Sequence, residues 1–280
     1  MKPRVQTKVE LTILTGMPRQ RKAANGGFIR AVEVTVPLDG RNKYPLNLAA
    51  IRNVQSLALD PHMTIFVGEN GSGKSTLVEG IAVAAGFNAE GGSANFNFRT
   101  QRHTPELATH LRLVRNPARP RTGFFLRAES FFNVATEIER LDEEPSKASR
   151  IGPAYGPQPL HEVSHGESFL ALVINRFGPG GLYVLDEPEA ALSPTGCLGL
   201  VRRFHELLDQ GSQFIIATHS PILMSFPRAT IYLLNESGPV KATWESLDHV
   251  RITREFLNDP NAVLEVLLTN RTQSEGETVC

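Results

Sequence analysis

Between Thr64 and Leu77 the chain reads TIFVGENGSGKSTL, a β-prone run entering the pattern GxxxxGK followed by Ser. A polyphosphate needs several donors converging at short range, and backbone N–H groups supply them only where no side chain stands in the way. Gly68, Gly71 and Gly73 clear that space and allow positive φ, so the loop can curl into an anion-binding nest that also contains Asn70 and Ser72. A helix starting near Lys74 adds its unpaired N–H groups and the positive end of its dipole. In that setting Lys74 reaches the β- and γ-phosphates, the Ser75 hydroxyl ligates Mg²⁺, and Thr76 adds a further phosphate contact.

Three later stretches have residue types suited to the same chemistry. Gly181 to Pro188, GLYVLDEP, is a buried-type strand ending in two carboxylates. Asp186 is placed to hold Mg²⁺ directly or through water, and Glu187 to polarise an attacking water. Gln213 to Ser220, QFIIATHS, is a strand ending at His219, where a neutral imidazole can meet a γ-phosphate or the water. Val163 to Phe169, VSHGESF, opens an apolar helix, and Ser164 with Gly166 forms a second anion site there. One triphosphate has little use for two such sites in one chain, whereas two chains arranged head to tail do.

The elements that must position these residues are those of an α/β P-loop domain. Phe28 to Val36 reads as a strand, Leu46 to Leu59 as an extended pair, and Thr64 to Val67 as the strand feeding the loop. Val9 to Leu14 could form a short strand, and Gly86 to Gln101 a loop and strand with alternating Phe96 and Phe98. Thr104, Pro105 and Glu106 open a helix with Leu107, Leu111 and Val114 on one face. Thr122 to Ala128 reads as a buried strand, Phe131 to Leu141 as an amphipathic helix, and Pro145 to Pro159 as an exposed loop. Ile231 to Leu234 reads as an edge strand and Val263 to Leu268 as part of a closing helix, with Trp244 as packing. Tyr44 stands open between stacking on adenine and packing in a turn.

At 280 residues, 41% hydrophobic and 21% charged, the composition is that of a globular protein, read as a single domain over 1–280. No apolar run suffices to span a bilayer and MKPRVQTKVE has no signal-like apolar core, so a cytoplasmic protein is expected. Cys197 and Cys280 form neither a disulfide framework nor a metal spacing. The formal net charge is zero, so nucleic-acid binding would need a local patch. Arg99 to Arg127, with seven arginines against Glu106, could be that patch or a solvated face balanced by the acidic run Glu137 to Glu144.

In order, GENGSGKST, VSHGES, LYVLDEPEAALSP and FIIATHSP resemble the Walker A, signature, Walker B with D-loop, and switch-histidine motifs of ABC-type ATPases. More narrowly, the chain resembles bacterial stand-alone ABC-like predicted ATPases of the AAA family, without membrane domain or long coiled coil. That resemblance implies a P-loop fold with a small, mostly helical lobe over about 99–160, ATP and Mg²⁺ as cofactors, and nucleotide contacts from Gly68 to Thr76. It implies Mg²⁺ at Ser75 and Asp186, Glu187 as catalytic base and His219 as the switch. Ser164, Gly166 and Glu167 would serve the nucleotide of a facing subunit in an ATP-closed homodimer.

His165 replaces the signature's usual second glycine, and Ser193 and Pro194 stand where transporter cassettes usually have an aspartate. Asn70 and Glu189 look more like the repair and chromosome-maintenance branch. Gln101 is the candidate Q-loop glutamine. The expected activity is ATP hydrolysis driving a switch on nucleic acid or a protein partner. The alternatives are a cassette energising a separate membrane subunit and a non-hydrolysing nucleotide sensor.

Overall fold

The computed structural model describes residues 27–92, 106–129 and 165–269. Val9 to Leu14, Phe96, Phe98, Gln101, Thr104, Pro105, the helix expected over Phe131 to Leu141, the acidic run to Glu144, the loop Pro145 to Pro159 and Ser164 lie outside them.

Buried apolar runs build the main sheet. β3 (Met63–Gly68), β6 (Gly181–Asp186) and β7 (Gln213–Ala217) are buried at every position, as strands covered on both faces must be. With β5 (Thr122–Arg127), β8 (Ala229–Asn235) and β9 (Gly238–Ala242) they form a six-stranded sheet in the order β5-β6-β7-β3-β8-β9. β9, antiparallel to β8, lies at one edge and β5 at the other; β8 pairs with both β3 and β9 and is therefore internal, contrary to the edge position read from Ile231 to Leu234.

A second, antiparallel sheet has the order β2-β1-β4, from β1 (Ile29–Val34), β2 (Ser56–Ala58) and β4 (Leu111–Arg115). Helix α2 (Lys74–Ala85) fills the space between the sheets, where Leu77, Val78 and Ile81 join Phe66, Phe125 and Val184 from one sheet and Ile29, Val32 and Leu57 from the other. On the opposite face of the main sheet, α4 (His165–Arg176) and α5 (Pro194–Asp209) bring Phe169, Leu172, Leu200 and Phe204 against Ile65, Tyr183 and Phe214.

Gln213 ties the two sheets together at the start of β7. Fully buried, its Oε1 accepts from the Phe28 and Ile29 N–H groups at 2.7 and 2.9 Å, and its Nε2 donates to the Ile29 and Asp60 carbonyls at 2.8 and 2.9 Å.

Two segments depart from the sequence reading. Leu46 to Leu59 is not an extended pair: Ala49–Arg52 makes one turn of helix, α1, before β2. Two alanines favour the turn, the Ala50 N–H donates to the Ser72 carbonyl, and the buried Arg41 guanidinium donates to the Ile51, Arg52 and Val54 carbonyls at and just beyond the helix end. Similarly, the helix opened by Glu106 ends at Thr109 as α3 (Glu106–Thr109), and Leu111 and Val114 lie in β4. Pairing with β1 over Val34–Leu111 to Ala31–Val114 overrides the local helical spacing. Residues 106–129 of the expected helical lobe thus consist of one helical turn and two strands.

Helices α6 (Pro221–Met224), α7 (Asp248–Asn258) and α8 (Pro260–Thr269) finish the described chain. Among the described residues α8 buries none, so it does not close over the core as expected; Val266, Leu267 and Leu268 face outward. Trp244 packs against the core, donates from Nε1 to the Pro221 carbonyl at 2.9 Å, and carries the Arg254 guanidinium over its ring.

Candidate active site

The glycines of the loop between β3 and α2 are there for space and for backbone. A Cβ on Gly68 would lie 2.7 Å from the Leu234 carbonyl oxygen, and Gly71 and Gly73 have φ of 81° and 93°. Gly73 caps α2 with no side-chain hydrogen bond, so the first-turn N–H groups of the helix remain open toward the loop's concavity. Lys74 is 4% exposed and folds back, donating from Nζ to the Gly68 and Glu69 carbonyls at 2.9 and 3.0 Å. Burial lowers its pKa, while Glu187, Asp186, Glu69 and Glu189 pull the other way.

β6 delivers Asp186 to the same edge of the sheet. The carboxylate is 6% exposed, and its pKa is pushed up to about 6 by burial, against the opposing effects of Arg127 and the Ser75 hydroxyl. Its Oδ1 is buried with no hydrogen-bond partner among the described residues. A buried, partnerless carboxylate oxygen beside a serine hydroxyl is a donor set that fits a small hard cation such as Mg²⁺.

Glu187 is the one non-glycine among the described residues with positive φ, at 49°. Its strained backbone is held by its N–H donating to the Ala217 carbonyl at 2.9 Å, and its own carbonyl accepts from Ala190. The side chain remains partly exposed, with Oε1 3.6 Å from Nε2 of His219. β7 brings His219 to that place, and Glu189 fixes the turn beyond it by accepting from the His219 and Ser220 N–H groups at 2.5 and 3.0 Å.

The structure thus collects Lys74, Ser75, Asp186, Glu187 and His219 at the C-terminal ends of β3, β6 and β7. Asn70 and Ser72 belong to the loop, with the Ser72 N–H bonded to the Glu69 carbonyl, and Thr76 lies in the first turn of α2. Gly166 and Glu167 start α4, and a Cβ on Gly166 would lie 2.9 Å from the Ala191 carbonyl oxygen. That end of α4 therefore packs on the turn Pro188–Ala191.

Arg127, His249 and Glu189 are the participants the sequence reading passed over or assigned differently. Arg127 ends β5 opposite Asp186 and reaches Glu79 at 3.3 Å and Asp186 at 3.6 Å. A charged residue closing the buried run GFFL was its signal, the same signal that picked out Asp186. His249 had none, because it arrives from α7 and meets His219 at 3.2 Å. Tyr44 is exposed and no ring contact involves it among the described residues.

A β-strand, a glycine loop with an uncapped helix start, and acidic and imidazole groups on adjacent strands define an α/β P-loop NTPase fold. Residues 46–148 match the family model described as an AAA domain, and residues 130–225 match one described as "AAA domain, putative AbiEii toxin, Type IV TA system". The chain carries AAA-domain sequence of the ABC-ATPase type.

Among curated proteins it is similar to the energy-coupling factor transporter ATP-binding protein EcfA of Methanococcus maripaludis, 32% identical over 38% of this chain and 38% of that protein. It is also similar to the cobalt import ATP-binding protein CbiO of Salmonella typhimurium, 27% identical over 36% of this chain and 40% of that one. ABC transporter G family member STR2 of Medicago truncatula is 26% identical over 57% of this chain and 24% of its own length. The chain thus spans well under half the length of these relatives. A nucleotide-free ATP-binding cassette from an ABC transporter superposes with TM-score 0.45 at 19% identity, covering 84% of this chain and 97% of that one. No helix among the described residues is long and apolar enough to cross a membrane.

Proposed function

We propose that this chain binds ATP with Mg²⁺ and hydrolyses its terminal phosphoanhydride, as a head-to-tail dimer closed by ATP. The observation that carries the reading is the buried Asp186 Oδ1, partnerless among the described residues, beside Ser75, one strand removed from the loop and next to the strand that leads to His219. Ser75 and Asp186 would hold Mg²⁺, which when bound neutralises charge on the β- and γ-phosphates. The bare N–H groups from Gly68 to Thr76 bind the phosphates. Lys74 leaves its carbonyl partners and turns to the phosphate oxygens, a move that satisfies the same ammonium with stronger acceptors. Glu187 would orient the attacking water and accept its proton, and His219, whose Nε2 lies 3.6 Å from the Glu187 carboxylate, would donate to the terminal phosphate.

Gly166 and Glu167, with Ser164, complete the site of the facing subunit. The seating of α4 on the Pro188–Ala191 turn supports this, since it couples that surface to the segment directly after Glu187.

The hydrolysis would drive a switch on a partner. Of the arginines between 106 and 129, Arg112 pairs with Glu33, Arg115 donates to the Ala84 carbonyl, and Arg127 lies in the site. Arg112 and Arg115 are nonetheless exposed, as are Arg119 and Arg121, so the segment leaves a nucleic acid and a protein partner equally open as the recipient. The names of the import and transporter ATP-binding relatives favour a second reading, a cassette serving a separate membrane subunit.

ATPase rate against protein concentration, with and without nucleic acid, tests the proposal. The rate per chain should climb with concentration, and Lys74→Ala should abolish nucleotide binding. Glu187→Gln should still bind ATP, lose about a hundredfold or more in rate, and elute earlier on a sizing column with ATP than without. A wild-type rate equal to that of Lys74→Ala would overturn hydrolysis, and ATP-independent elution of Glu187→Gln would overturn the closed dimer.

A further inference from the structure

The two nitrogens of His219 sit in different surroundings. Nδ1 is 3.2 Å from His249 Nε2, with the rings tilted at 49° rather than stacked, so the contact runs nitrogen to nitrogen. Nε2 is buried without a hydrogen-bond partner among the described residues and lies 3.6 Å from Glu187 Oε1. Between two neutral imidazoles one nitrogen must donate and the other accept. Were His219 to donate from Nδ1, its Nε2 lone pair would point at the Glu187 carboxylate, two electron-rich groups facing each other. With His249 Nε2–H donating to Nδ1, His219 instead presents Nε2–H toward Glu187, and both contacts are favourable.

We propose that His249 is a positioning residue that fixes His219 in its Nε2–H tautomer, so that this histidine meets the reacting phosphate as a hydrogen-bond donor. His249 is well placed for the task. It sits between Leu247 and Val250, both buried in the core, and the Trp244 indole just before them is bonded to Pro221, two residues beyond His219. The same short segment thus grips the switch strand's exit at two points. Burial and the Lys74 ammonium lower the pKa of His219 against the pull of Glu187, which favours the neutral ring in which a tautomer is defined. The catalytic consequence rests on the ATPase reading above; the tautomer does not.

Long-range ¹H–¹⁵N spectra of the full chain labelled at histidine test this. The wild type should show His219 as the Nε2–H form. His249→Phe keeps a ring and removes the donor, and should give a mixture of tautomers with the ATPase kcat down about tenfold and little change in KM. His249→Gln, whose amide N–H can replace the lost donor, should restore both. A wild-type His219 in the Nδ1–H form would overturn the proposal, as would a His249→Phe protein with unchanged tautomer and rate. If Phe is not accommodated, the wild-type spectrum still decides. A tautomer shift in protein that never hydrolyses ATP would support His249 as the positioning residue and sink the ATPase reading alone.

Discussion

Arg127 lies among Glu79, Glu129 and Asp186, and its Nε has no hydrogen-bond partner among the described residues. It is the only cation in ion-pair contact with Asp186 among them, and a buried carboxylate stripped of its counter-charge is costly. Arg127→Ala should therefore lower unfolding stability by about 2–4 kcal/mol, read from urea midpoints, with Arg127→Lys in between; a value near zero would mean that Asp186 is already neutral when folded. A second test uses His219, whose pKa is lowered by burial and then Lys74, with Glu187 raising it, His249 lowering it and Glu69 raising it. A histidine depressed in the folded state binds fewer protons than in the unfolded chain. Its share of stability is complete above the unfolded value, 6.5, and is lost as pH falls through the lower folded value. His219→Gln should accordingly lose less stability than the wild type on going from about pH 7.5 to about 5.5. Parallel losses would refute this.

Helix α5 shows why a departure from a family pattern can be structural. Ser193, at a position where an aspartate is usual in transporter cassettes, accepts from the Gly196 N–H at 3.1 Å as the helix cap, and Pro194 takes the first helical position. Ser193→Ala should cost about 1 kcal/mol in a denaturant titration and leave nucleotide affinity unchanged; a loss of affinity would instead assign Ser193 to the site. Elements buried on both faces were legible from the sequence, because β3, β6 and β7 announce themselves as apolar runs, the first two closing at Gly68 and Asp186. The loop, Asp186 and His219 were legible for the same reason. Leu111 and Val114 were misread because helical spacing is a local signal, while their pairing partner β1 lies some eighty residues away. Arg41 and His249 were invisible for a related reason: each acts on groups brought close only by the fold.

Across the molecule, the candidate site occupies the C-terminal edge of the parallel strands, whereas Gln213 joins the two sheets at the opposite edge. Gln213→Leu would leave the Phe28 and Ile29 N–H groups and two carbonyls facing an apolar side chain. It should cost about 3 kcal/mol or more in unfolding free energy while leaving the rate at saturating ATP intact below the melting temperature. Loss of rate without loss of stability would contradict this division. The same amide side chain sets a clock. Because the Phe28 and Ile29 amides are held by a residue from the other sheet, they can exchange with deuterium only when the sheets part. Their exchange should follow global unfolding, while the amides around Gly71 exchange on the faster time of the loop. Comparing the two with and without ATP would tell whether the nucleotide stiffens only its own edge or the frame as a whole.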